Sequence, residues 1–170
     1  IAGGDLSFYR LGYQHHWYYP MTRTFTLHLG GEIGYAAGYN DSPLPFFKNF
    51  YAGGVGSVRG FEAASLGPRD INGDVLGGNR RLIGNLEFLF PMPGMGKDRS
   101  VRLGAFIDGG RVWGSSSNLT VPNPDNDGGA RYSAGLSAAW SSPVGPLKFS
   151  YGAPLNKKEG DRTESFQFTM

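Results

Sequence analysis

Cysteine is absent from this 170-residue chain, which removes disulfide frameworks and thiolate metal sites and leaves the compartment open. No stretch approaches the ~18 consecutive apolar residues that a membrane-spanning helix requires. Charge is scarce: 18% of residues are charged, the net charge is +2, and no basic cluster exceeds Arg80-Arg81 or Lys157-Lys158. A footprint for nucleic acid is therefore not expected. Ile1 runs directly into Ala-Gly-Gly-Asp5 without a signal-peptide pattern, so the reading expects a mature segment or an export signal further upstream. No Ser-His-Asp set can be drawn on spacing. The Gly-rich stretch 53–60 lacks the Gly-Lys-Ser/Thr and following helix of a phosphate loop. No enzymatic activity and no cofactor are expected.

What the chain has in excess is glycine and aromatic side chains. Gly numbers 28 and Pro 11, and aromatics make up 14% of the chain, against a usual Gly share of ~7%. Short Gly- and Pro-rich turns between aromatic-studded strands produce that mix, which points to an all-β sandwich or barrel. A mean hydropathy of −0.31 excludes a bundle of membrane helices. It does not exclude a transmembrane barrel, whose strands alternate lipid-facing apolar with lumen-facing polar residues.

Period-two alternation dominates the sequence. Across 24–37, Phe25, Leu27, Leu29, Ile33 and Tyr35 share one face, and Thr24, Thr26, His28 and Glu32 the other. The same pattern marks 130–140, 146–153 and the end of the chain, where Phe166, Phe168 and Met170 oppose Gln167 and Thr169. With less regular segments at 5–19, 79–90 and 100–113, the pattern predicts seven strands. Connections alternate in length: 19–23, 91–98 and 141–145 are short, whereas 38–78, 114–129 and 154–163 are long. Tight turns on one side and long loops on the other are the asymmetry of a transmembrane barrel. Trp17, Tyr18, Tyr19, Trp113 and Trp140 lie near strand ends, where an interfacial girdle belongs. A soluble sandwich that buries the same apolar faces stays open as the alternative.

The connection 38–78 is too long to be an idle loop. It holds Lys48-Asn-Phe-Tyr-Ala-Gly-Gly-Val-Gly-Ser-Val-Arg-Gly-Phe61, whose glycines permit close backbone approach and whose aromatics are poor residues to leave in water. Phe50-Tyr-Ala-Gly-Gly54 and Ser57-Val-Arg-Gly-Phe61 resemble the signature of the sixth extracellular loop in the BamA family of outer-membrane protein assembly factors and its superfamily. The resemblance continues through Asn85-Leu-Glu-Phe-Leu-Phe-Pro91, Phe106-Ile-Asp-Gly-Gly-Arg-Val-Trp113 and the segment 133–136. It ends with 141–154 and Phe166-Gln-Phe168.

That resemblance implies the last seven strands of a sixteen-stranded antiparallel transmembrane β-barrel in a bacterial outer membrane, with the periplasmic domains of the family absent. It implies a loop folded into the lumen on Val58, Arg59, Gly60 and Phe61, with Arg59 paired to Glu87 and Asp108. Parity agrees, because both carboxylates fall on the polar faces of their strands. The last strand, about 164–170 with Phe166, Gln167 and Phe168, would form one side of a seam at which nascent barrel proteins are inserted into the bilayer. Accessory assembly lipoproteins would bind the missing periplasmic portion. Family members continue past the Met170 position to a terminal aromatic residue, so the resemblance implies that the seam strand is only partly contained here. An isolated seven-stranded sheet would have to pair its open edges, by self-association or with another chain. The alternatives are a related barrel that secretes a passenger through its lumen and, further off, a soluble β-sandwich binding module.

Three constellations suggest metal and carry little weight. His15-His16 point to opposite faces of a strand and have no third ligand nearby. Asp125-Asn-Asp-Gly128 and Asp70-Ile-Asn-Gly-Asp74 lack the bidentate glutamate of a calcium loop and read as polar loop tips. No metal is expected.

Overall fold

The computed structural model describes residues 7–39, 44–94, 100–114 and 129–170. Seven strands form one antiparallel sheet: β1 (Phe8–Pro20), β2 (Thr26–Gly38), β4 (Arg80–Pro91), β5 (Val101–Trp113), β6 (Arg131–Ser142), β7 (Gly145–Pro154) and β9 (Phe166–Thr169). Each pairs with its predecessor in the sheet, so the topology is a meander with β1 and β9 as the two edges. Two short strands, β3 (Gly60–Phe61) and β8 (Thr163–Glu164), pair with each other in a separate ribbon. A 3-10 turn covers Phe46–Lys48.

Turn chemistry sets the short connections. Thr22 Oγ1 accepts from the amides of Thr24 and Phe25 at 3.2 and 3.0 Å, closing the turn between β1 and β2. Pro143 and Val144 alone separate the Ser142↔Gly145 pair, and Gly145 has a φ of +132°, a conformation that side chains resist. Residues 1–6 (including the predicted start of the first strand), 95–98 of the 91–98 connection, and the calcium-like stretch 125–128 lie outside the described residues.

The distribution of burial decides between sandwich and barrel. Leu11, Tyr13, Ile33, Leu82, Ile107, Leu136, Tyr151 and Phe166 are exposed on one face. Their neighbours Ile83, Glu87, Phe106, Asp108, Ser133, Ser137, Ser150 and Gln167 are buried on the other. A water-soluble sheet buries its apolar face and solvates the polar one. Here the order is reversed, as in a barrel wall whose outer side meets lipid.

The cover over the polar face is the long connection between β2 and β4. Within it, Phe50 bridges Gly78, Ala52 bridges Leu66 and Arg69 bridges Val75. Its Ala52, Val58, Phe61 and Leu66 form an apolar cluster with Ile83 and Val112 of the wall. A second cluster joins Leu44 and Phe50 to Ala36, with Phe8 packed against it.

The chain's end differs from the expected single strand over 164–170. It divides at Ser165: β8 turns away to pair with the loop, and only Phe166–Thr169 pair with β7. The backbone of Gly60 and Phe61 offers Thr163 and Glu164 hydrogen-bonding partners that compete with the wall.

An outward-facing charge tests this assignment of faces. Leu136→Arg in the full barrel should lower folding stability in bilayers by about 2–4 kcal/mol, the cost of a basic side chain near the membrane midplane. Denaturant unfolding in lipid vesicles measures it.

Candidate functional site

Where the loop crosses the inner wall, Arg59 is 3% exposed. Each of its three guanidinium nitrogens donates a hydrogen bond. Nε and one terminal nitrogen donate to the two oxygens of Asp108 at 2.7 and 2.9 Å. The other terminal nitrogen donates to Glu87 Oε1 at 2.8 Å, and the Arg59 amide donates to Asp108 Oδ2 at 3.1 Å. The guanidinium carbon lies 3.5 Å from the ring centroid of Phe106, a cation–π contact in a desolvated site. Fork-to-carboxylate pairing of this kind suits arginine and not lysine.

Sheet register builds the receptor. Asn85 faces Asp108 and Glu87 faces Phe106 across the β4–β5 ladder, so the two carboxylates sit diagonally on adjacent strands. Asn85 donates to Asp108 Oδ1 at 2.9 Å and to the Ser57 carbonyl at 2.7 Å, holding wall and loop together. Ser137 of β6 donates to Glu87 Oε1 at 2.6 Å. Two carboxylates against one guanidinium leave a negative excess, and Lys148 Nζ stands 3.9 Å from Glu87 Oε2. Burial by itself would lower the pKa of the Arg59 guanidinium. Hydrogen bonds to Asp108 and the charges of Asp108 and Glu87 outweigh burial and hold it above its ordinary value, so the loop arginine stays charged.

The rest of the motif explains how a main chain reaches this wall. Val58 and Phe61 are fully buried and anchor the loop on either side of the arginine. Gly60 has a φ of +87°, and a Cβ there would stand 3.0 Å from the carbonyl atoms of Gly152. A Cβ on Gly152 would stand 2.8 Å from the Gly60 nitrogen. Two backbones thus touch directly, and a side chain on either would part them. On β9, Phe166 and Phe168 point outward and exposed, while Gln167 is buried under the loop.

Further ties fasten the loop. Arg81 of β4 pairs with Glu32 of β2 and donates to the Tyr51 carbonyl at 2.8 Å. Arg131 grips Asp161 at 2.5 and 3.1 Å, and Arg69 of the loop lies 3.9 Å from the same carboxylate. Asp70 spends Oδ1 on the amides of Asn72 and Asp74, at 2.8 and 2.9 Å, as a turn-forming aspartate does. His16 and His28 stack with their nitrogens 3.0 Å apart. Among the described residues no group of three or more metal-ligating side chains converges.

The family resemblance implies a pairing of Arg59 with Glu87 and Asp108, and the structure brings these three into one cluster. Sequence reasoning missed Asn85, Phe106, Ser137 and Gly152. All four lie on the inward parity of their strands, so the alternation carried the signal. It could not say which inward residues meet the loop.

An antiparallel meander with its apolar side outward and its polar side clamped by an inward loop defines a wall segment of a transmembrane β-barrel. The Omp85 superfamily domain matches residues 1–170, and the chain belongs to that superfamily. It is similar to the outer membrane protein assembly factor BamA of Neisseria meningitidis, 43% identical over 100% of this chain and 24% of the relative. The BamA of Nitratidesulfovibrio vulgaris is 32% identical over 99% of this chain and 21% of the relative. A SAM50-like protein of Schizosaccharomyces pombe is 29% identical over 82% of this chain. The crystal structure of Haemophilus ducreyi BamA lacking POTRA domains 1-3 superposes with a TM-score of 0.89 at 33% identity, covering 99% of this chain and 35% of that one. The chain spans between a fifth and a quarter of the length of the two bacterial relatives.

Removing one partner from a buried ion pair costs roughly 3–5 kcal/mol. Arg59→Lys, which keeps the charge and loses the fork, should loosen the loop over residues 49–78 while the wall stays folded. Hydrogen exchange measured by mass spectrometry should show faster exchange in that segment and unchanged protection in β4 and β5.

Proposed function

We propose that this chain is the C-terminal, seven-stranded part of a larger barrel that folds and inserts other β-barrel proteins into the bacterial outer membrane. The observation that carries the reading is similarity along the whole of this chain to BamA assembly factors, in a chain that also matches a eukaryotic SAM50-like protein. The chain resides in the outer membrane, where its apolar face meets lipid.

The work is mechanical. A nascent barrel strand cannot enter lipid until its N–H and C=O groups are satisfied. An exposed strand edge satisfies them by strand addition. Strand β9 is such an edge: it pairs with β7 on one side, over four residues, and turns Phe166 and Phe168 toward the membrane. With the first strand of the complete barrel it would form the seam that receives clients. A short seam strand also favours local bilayer thinning, at fractions of a kcal/mol per Å of mismatch. The inward loop holds the wall in shape while the seam exchanges partners. Periplasmic domains outside this chain would recruit accessory lipoproteins.

In the full-length protein, as the sole copy in cells, Arg59→Glu should abolish assembly of heat-modifiable outer-membrane barrels. Adding Glu87→Arg should restore part of it. Normal assembly with Arg59→Glu alone would remove the loop from the mechanism and turn attention to passage of a passenger through the lumen.

A further inference from the structure

The last strand is held by the wall over a short ladder. The β6–β7 ladder takes in every residue of β7, from Gly145 to Pro154, whereas the β7–β9 ladder runs only from Lys148↔Thr169 to Tyr151↔Phe166. Ser165 still accepts from the Gly152 amide of β7 at 2.8 Å, and the residues before it are bonded to the loop. Gly60 and Phe61 pair with Glu164 and Thr163, and the Glu62 amide donates to the Arg162 carbonyl at 3.1 Å. One side chain crosses from the wall strand to this ribbon. Gln167 is 4% exposed. Its Nε2 donates to the Phe61 carbonyl at 2.7 Å, and its Oε1 accepts from the Gly60 amide at 3.4 Å. The amide thereby supplies one donor and one acceptor, as a neighbouring strand's peptide group would.

We infer that Gln167 is a positioning residue that ties the edge strand β9 to the inward loop, a second hold on this edge beside its short ladder with β7. Arg59, Gly60 and Phe61 are consecutive. The first is fixed to Glu87 and Asp108, and the other two present the groups that Gln167 grips. The position of the arginine is thus passed to the last strand through two peptide units and one side-chain amide. A buried glutamine that lost these partners would leave polar groups unsatisfied on both sides, so the tie is either made or the strand moves. The close approach of Gly60 to Gly152 keeps the loop near enough for the glutamine to reach. This coupling deepens the assembly role proposed above by naming what would restrain the seam strand, but its test does not depend on that role.

The test uses the full-length protein in outer-membrane vesicles. Gln167→Leu keeps the side chain's bulk and removes both hydrogen bonds. Backbone amides of Phe166–Thr169 should then exchange at least tenfold faster, with β4, β5 and β6 unchanged. Residues 166–169 staying protected in Gln167→Leu would overturn the inference. So would protection lost equally across β4–β6. If Gln167→Leu fails to reach the membrane, Gln167→Asn, one methylene too short to reach both loop groups, serves in its place with the same expected outcomes. Exchange rates are read whether or not the protein assembles clients, so failure here and failure of the assembly role are separate results.

Discussion

A single buried guanidinium organises this sheet. Arg59 brings a positive charge onto a wall that carries two carboxylates in a dehydrated setting, and each of the three would be costly to bury alone. Together they satisfy one another, with Asn85 and Ser137 completing the carboxylates' hydrogen bonds and Phe106 lying under the cation. This cluster gives the backbone of the long loop a fixed point on the polar face. Without it, Glu87 and Asp108 would face each other's charge across adjacent strands.

The fixed point matters because the sheet is built for two solvents. Its outer side is apolar and its inner side polar, so ordinary hydrophobic burial cannot hold a loop to the inside. Apolar anchors help at the margins, where Val58 and Phe61 reach Ile83 and Val112. The middle is held by polar groups whose value rises as water is excluded. That is a specific kind of adhesion: it depends on geometry at one register and does not spread over area. A loop held in this way has one place to sit.

The same loop reaches past the lumen wall to the chain's end. Its Gly60 and Phe61 compete with β7 for the last residues, and the outcome is a strand divided at Ser165. An edge strand that shares its hydrogen bonds between a wall and a loop is poised between two sets of partners. This arrangement places the least committed backbone of the sheet at the edge where strand addition would occur.

Much of this was legible in the residues themselves. Alternation, cleaner in some strands than in 79–90 and 100–113, showed which side chains share a face, so Glu87, Asp108 and Gln167 fall on the polar side from the sequence alone. Loop lengths set which ends of the strands carry turns. The motif at Ser57–Phe61 and its companions implied the wall to which the loop returns, through family resemblance. What the alternation could not supply was registry between strands and the path of the loop. Asn85, Phe106, Ser137 and Gly152 have the same inward parity as residues that the loop never touches. Their roles follow from diagonal neighbours across β4, β5, β6 and β7, and from the point at which Gly60 and Gly152 let two backbones meet. The division of the last strand was equally hidden, since 163–164 and 166–169 continue one segment and differ only in which partner lies within reach. Periodicity is a property of consecutive residues and is written in the sequence. Contact between segments a hundred residues apart is decided only when the sheet has fixed their distances.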